Sequence, residues 1–119
     1  MKFLSFNCQG LAIPFKKSSL KRLVLRTKPE IIFLQETMGV SEVIKGVLLS
    51  LLPEWDFVVH DAKCSRGVAT AWRLASCCLR NSWGSESCIR TDIYFHELST
   101  EFWLFNIYGP YLNREIFWD

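Results

Sequence analysis

The sequence has no Cys-x-x-Cys pair, no glycine-rich phosphate loop of the GxxxxGKS/T or GxGxxG kind, no GxSxG and no long apolar run. Its five cysteines, Cys8, Cys64, Cys77, Cys78 and Cys88, form an odd set that fits neither a disulfide framework nor a zinc ribbon, so a reducing compartment suits it best. Phosphate-loop, dinucleotide-binding and serine-hydrolase chemistry have no foothold. The longest apolar stretch, residues 47–52, is interrupted by Ser50 and falls far short of the ~20 residues that span a bilayer. Near the start, Ser5, Asn7, Cys8, Gln9 and Gly10 break the apolar run before a signal-peptide core can form. The 14 basic and 12 acidic residues nearly balance. A net charge of +2 does not argue for nucleic acid, and the cluster Lys16, Lys17, Lys21, Arg22, Arg26 and Lys28 reads as a solvated helix face. No internal repeat, low-complexity tract or Gly/Ser linker is present.

What remains is an ordinary globular composition, 50% hydrophobic and 22% charged over 119 residues, which suits one domain or part of one. Its most informative stretch is Ile31-Ile32-Phe33-Leu34-Gln35-Glu36-Thr37. Four large apolar residues in a row read as a strand covered on both faces, and the carboxylate of Glu36 stands at its C-terminal end. That end of a strand is where open α/β sheets bind ligands, so Glu36 is a candidate metal or phosphate-site group; a solvated strand-end carboxylate is the other reading. Residues 2–6 alternate as a strand and give way to the turn Asn7-Cys8-Gln9-Gly10. Asn7 therefore stands at a strand terminus too, either to orient a carboxylate or to bond its own turn.

Ser18 or Ser19 can cap a helix running to about Lys28, with Leu20, Leu23, Val24 and Thr27 on one face and Pro29 as its stop. Strand, helix and strand make a βαβ unit, which predicts that the strands ending at Asn7 and Glu36 are parallel neighbours. A second helix is expected from Ser41, with Glu42 in its first turn and Pro53 beyond its end. Strands follow at 55–60 and 68–72, with a turn at 63–67 between them, and another strand is expected at 77–82 before a turn at 83–87. His60 and Cys64, four apart in an extended pattern, do not form a metal pair. Residues 88–98 alternate Ile89, Thr91, Ile93 and Phe95 against Arg90, Asp92, Tyr94 and His96, and pair as a hairpin with 101–108. His96 reads as a solvated strand histidine. Asn113 caps a last helix from Arg114 that stops in mid-pattern at Asp119, which predicts a fragment.

Three segments in order, Leu4-Ser5-Phe6-Asn7-Cys8-Gln9-Gly10, Ile31 to Thr37, and Phe105-Asn106-Ile107-Tyr108-Gly109-Pro110, resemble the endonuclease/exonuclease/phosphatase family. More narrowly, they look like the endonuclease domain of plant long-interspersed-element (non-LTR) retrotransposons. The likeness spans residues 1–119 and about the first half of that domain. It implies an α/β fold, a partial four-layer sandwich of mixed sheets with flanking helices whose C-terminal half is missing. It also implies hydrolysis of DNA phosphodiester bonds with Mg²⁺, or Mn²⁺ in its place. Glu36 matches the metal-binding glutamate, Asn7 the asparagine that supports metal and phosphate, and Tyr108 a residue that contacts the scissile phosphate. DNA is the partner so implied, with no membrane, and a nuclear site of action is implied although no basic localisation run is evident.

The departures concern chemistry. The family's later half carries an Asp-x-Asn motif and a terminal Asp-His pair, and neither occurs among the eleven residues after Tyr108. Loss of a general base alone typically slows such reactions by about 10²- to 10⁴-fold. Phe6 stands where relatives usually have Trp, and Arg66-Gly67 where Gly-Gly is common. Three expectations follow: an endonuclease active only when completed by another chain, a non-catalytic remnant, or a weak metal- or nucleic-acid-binding module. A sandwich lacking part of one sheet would also expose apolar surface, which predicts self-association and poor solubility as a monomer.

Overall fold

The computed structural model describes residues 1–60, 67–85 and 88–107. Seven strands and two helices are assigned there: β1 (Phe3–Asn7), α1 (Pro14–Thr27), β2 (Ile31–Gln35), α2 (Ser41–Leu51), β3 (Trp55–His60), β4 (Val68–Arg73), β5 (Cys77–Gly84), β6 (Cys88–Phe95) and β7 (Thr100–Ile107). The strands form a four-stranded sheet in the order β1-β2-β4-β3 and a three-stranded sheet in the order β5-β6-β7. The expected βαβ unit is present: β1 and β2 are parallel, with Phe3 opposite Ile31 and Asn7 opposite Gln35. β4 then inserts between β2 and β3, antiparallel to both.

Strand alternation divides the four-stranded sheet into two apolar faces. Leu4, Phe6, Ile32, Leu34, Ala69 and Ala71 face one way and pack with Leu20 and Val24 of α1 and Ile44 and Leu48 of α2. Ile31, Phe33, Val58 and Trp72 face the other way, where Cys77, Ile93, Phe95 and Leu104 of the second sheet meet them. The layers are therefore helices, a mixed four-stranded sheet and an antiparallel three-stranded sheet, an α/β sandwich. The outer face of the three-stranded sheet carries Trp83, Trp103, Phe105 and Ile107, each at least half exposed. On that face the Arg90 guanidinium lies 4.0 Å from the centre of the Trp103 ring and pairs with Asp92 at 2.8 Å.

Helix α1 begins earlier than its serines suggested. Pro14 opens it, Ile13 precedes it without a side-chain cap, and the Lys17 amide donates to the Ile13 carbonyl at 3.1 Å, so the first turn closes before Ser18 and Ser19. A proline in the first turn is pre-set for helix and needs no amide there, which outweighs an interior serine as a start signal. The helix ends as expected before Pro29: Lys28 adopts φ +50° and donates to the Val24 carbonyl at 2.8 Å. Ile89, Thr91, Ile93 and Phe95 are all buried, as the alternation of β6 required. The hairpin with β7 is antiparallel and turns at Ser99, φ +49°. The turn expected at 63–67 lies mostly outside the described residues, and the helix expected from Arg114 wholly so.

Cys8, Cys77, Cys78 and Cys88 are free thiols. Burial pushes the Cys8 thiol up to about 12, opposed in part by Lys16 and helped by Glu36, and Cys77 up to about 11. Because the folded value of Cys8 lies above the ordinary 9.0, its contribution to stability is complete below pH 9 and lost as pH rises towards 12. Urea unfolding between pH 8 and 10.5 should therefore show a stability loss on the order of 2 kcal/mol from this thiol. Cys8→Ala, though less stable at neutral pH, should show a shallower decline over the same range.

Candidate functional site

The parallel register brings the C-terminal ends of β1 and β2 together, and backbone pairing continues beyond them. The amides of Cys8, Gly10 and Leu11 donate to the carbonyls of Gln35, Glu36 and Thr37 at 2.8, 3.0 and 3.1 Å. The two loops are thus laced to each other for three residues past the sheet. Asn7 is on the face of β1 that it shares with Phe3 and Ser5. By alternation Glu36 would follow Ile32 and Leu34 towards the helices, away from Asn7. Its φ of +53° interrupts that alternation, and the Asn7 amide Nδ2 donates to Glu36 Oε2 at 2.7 Å. A non-glycine residue in this region costs roughly 1–2 kcal/mol, which the laced loops and a charge-assisted hydrogen bond offset.

Other positive φ values gather at the same end: Gln9 at +47°, Gly10 at +100°, Met38 at +54° and Gly67 at +92°. Gly10 needs its missing side chain, since a Cβ there would lie 2.9 Å from Ile13 Cδ1 in a conformation that other residues rarely adopt. Gly67 accepts the Thr37 amide at 3.3 Å, so the glycine of the Arg66-Gly67 pair does carry a positive φ; Arg66 itself lies outside the described residues.

Glu36 is 7% exposed and Asn7 is exposed, so the carboxylate is sheltered by a neighbour that itself meets solvent. Beside it the fully buried Thr37 hydroxyl has no hydrogen-bond partner among the described residues. Carboxylate and amide oxygens are the ligand types a hard cation such as Mg²⁺ takes, and Mg²⁺ commonly binds one or two carboxylates while keeping several waters. The donor set therefore fits such an ion in kind. No group of three or more His, Cys, Asp or Glu side chains able to hold a metal occurs among the described residues.

Sequence reasoning left Gln35 and Asn106 without roles. The structure joins them: Gln35 Nε2 donates to Asn106 Oδ1 at 3.0 Å, and Gln35 Oε1 accepts from Ser5 Oγ at 3.3 Å. Asn106 is 2% exposed and also donates through Nδ2 to the Ala69 carbonyl at 2.8 Å. The sequence signal was an amide set between Phe105 and Ile107 at the apolar end of a strand, since a buried amide requires partners. Tyr108 lies outside the described residues. His60 ends β3, at the far edge of the sheet from β1, and its ring fills the space a side chain at Gly84 would occupy. His96 is exposed, its ring 5.8 Å from that of Tyr94. A cavity of about 510 Å³ lined by Lys21, Val24, Leu51, Trp55 and Arg73 is at the opposite end of the sheet from Glu36. No helix among the described residues is long and apolar enough to cross a membrane.

No protein-family model and no curated protein matches the chain. Solved structures do. An AP endonuclease from Leishmania major superposes with a TM-score of 0.68 at 22% identity, over 89% of this chain and 39% of that one. TDP2 of D. rerio, humanized by 14 mutations, gives 0.65 at 12% identity over 86% and 44%. The human Nocturnin catalytic domain with bound sulfate anion gives 0.64 at 16% over 84% and 46%. The chain thus spans less than half the length of each of these three proteins. They have endonuclease/exonuclease/phosphatase-type folds, and the likeness shows that this chain has part of that fold.

Replacing Asn7 by Asp would set two carboxylates in contact, and two such groups do not both ionise readily. The pair's folded pKa would be raised, so stability should be near its maximum at about pH 4 and fall by roughly 1–2 kcal/mol as pH rises towards 7. Urea unfolding of Asn7→Asp across this range, beside the parent chain, measures that slope.

Proposed function

We propose that the chain is the N-terminal half of a Mg²⁺-dependent phosphodiesterase that hydrolyses DNA, of the retrotransposon endonuclease type, and that it does not turn over alone. The observation that carries this is the 2.7 Å bond from Asn7 to Glu36 at the joined ends of two parallel strands. The shared fold of an AP endonuclease, and of a Nocturnin domain that binds a sulfate anion, supports a site for phosphate chemistry. Glu36 would hold the metal, and Asn7 would keep its carboxylate in place and face the phosphate. Tyr108 would contact the scissile phosphate. Bound Mg²⁺, or Mn²⁺, would supply charge stabilisation to the phosphate oxygens. Water activation belongs to groups beyond this chain's matched segments.

Binding of Mn²⁺, followed by loss of the free-ion electron paramagnetic resonance signal, should be weak and should disappear in Glu36→Gln. Supercoiled plasmid with Mg²⁺ should remain unnicked by the folded chain. Failure to bind Mn²⁺ would overturn the role of Glu36. Nicking that is lost both in Glu36→Gln and in EDTA would overturn the claim that the chain does not turn over alone. Weak Mn²⁺ binding without nicking is the outcome expected of this chain alone.

Self-association is part of the same proposal. Trp103, Phe105 and Ile107 stand on one face of β7, a strand at the edge of its described sheet, and such edges invite pairing. Sedimentation should show dimers or larger species that Trp103→Glu combined with Phe105→Lys converts to monomers. A monomeric parent chain would contradict it.

A further inference from the structure

We infer that Asn106, acting through Gln35, is the positioning residue that sets where the Glu36 carboxylate stands. Its bearing on metal binding rests on the reading of Asn7 and Glu36 as the metal pair. β7 belongs to the second sheet, yet one of its side chains reaches across to β2 and β4 at the end of the sheet where Glu36 lies. Asn106 alternates inward with Leu104 and is 2% exposed. Its Nδ2 approaches the Ala69 carbonyl at 2.8 Å, Thr70 Oγ1 at 3.3 Å and the Leu34 carbonyl at 3.4 Å, while its Oδ1 accepts Gln35 Nε2 at 3.0 Å. An amide has two protons to donate, so Ala69 holds the dominant bond and the other two are longer. Asn106 is thus anchored on β4 and presents its oxygen to Gln35.

Gln35 immediately precedes Glu36, and the peptide unit joining them carries the change from extended backbone to φ +53°. The direction of the carboxylate depends on the tilt of that unit. Three hydrogen bonds restrain it: the Gln35 carbonyl accepts the Cys8 amide at 2.8 Å, the Gln35 side chain donates to Asn106 at 3.0 Å, and it accepts from Ser5 at 3.3 Å. The first bond ties Glu36 to β1. The second ties it to the opposite sheet, so the spacing of the two sheets is transmitted to the site. Groups that orient a metal ligand from behind commonly change metal affinity when they are removed.

Gln35→Met tests the link with little disturbance to the fold, because Asn106 keeps its bonds to Ala69 and Thr70 and the sheets remain tied. Asn106→Leu removes the anchor at similar volume. The direct readout is the ¹H–¹⁵N resonance of the Asn7 side-chain amide, which reports the bond to Glu36 without any metal. It should move towards the position of a solvated asparagine in both variants. Mn²⁺ affinity should fall about tenfold in each, and the double variant should lose no more than the larger single loss. An unchanged Asn7 resonance and unchanged Mn²⁺ affinity in folded Gln35→Met would overturn the inference and leave Asn106 a tie between sheets, whether or not Asn106→Leu folds. Should the parent chain and Glu36→Gln bind Mn²⁺ equally while the Asn7 resonance still moves in Gln35→Met, the positioning role is upheld and the metal reading fails.

Discussion

The candidate site depends on the interruption of strand alternation at Glu36. A strand that continued regularly would send this carboxylate to the helix side, among Ile32, Leu34 and the buried residues of α1 and α2, where an unpaired charge is untenable. The left-handed backbone at 36 turns it to the side of Asn7 instead. Such a conformation persists only when its surroundings over-determine it. Here the surroundings are the three amide-to-carbonyl bonds between residues 8–11 and 35–37, and Gly10 and Gly67, whose φ of +100° and +92° side-chain-bearing residues rarely adopt.

The sheets supply the rigidity that this local strain requires. β2 is paired on both sides, by β1 in parallel and β4 antiparallel, and its side chains are covered by helices on one face and by the second sheet on the other. A residue at the end of such a strand moves little unless the whole layer moves. Asn106 adds the remaining link by fastening β7 to β4 and to Gln35 at that end. The second sheet thus serves both as the lid of the apolar core and as a support for the polar end.

Much of this is legible in the residues. The apolar run ending at Gln35-Glu36, the turn after Asn7 and the helix stopped by Pro29 together require a parallel pair with adjacent ends, because a right-handed crossover of this length permits little else. The buried face of β6 is legible because period-two alternation leaves few choices. The start of α1 is less so, since two serines are a common cap signal and Pro14 a less obvious one, and the helix tolerates both serines inside it. The Gln35–Asn106 bond is not legible: its partners are 71 positions apart and sit on different sheets, and no local pattern specifies how two sheets slide over each other.

The periodicity of each element, the parallel pair and an amide and a carboxylate at neighbouring strand ends are written in the order of the residues, because these follow from local sterics and short connections. The turn of Glu36 towards Asn7, the insertion of β4 between β2 and β3 and the reach of Asn106 to Gln35 emerge when the layers assemble. Those outcomes depend on which layers pack together and in what register. Packing of that kind is the sum of many weak apolar contacts spread over the whole chain, and no single stretch of sequence carries it.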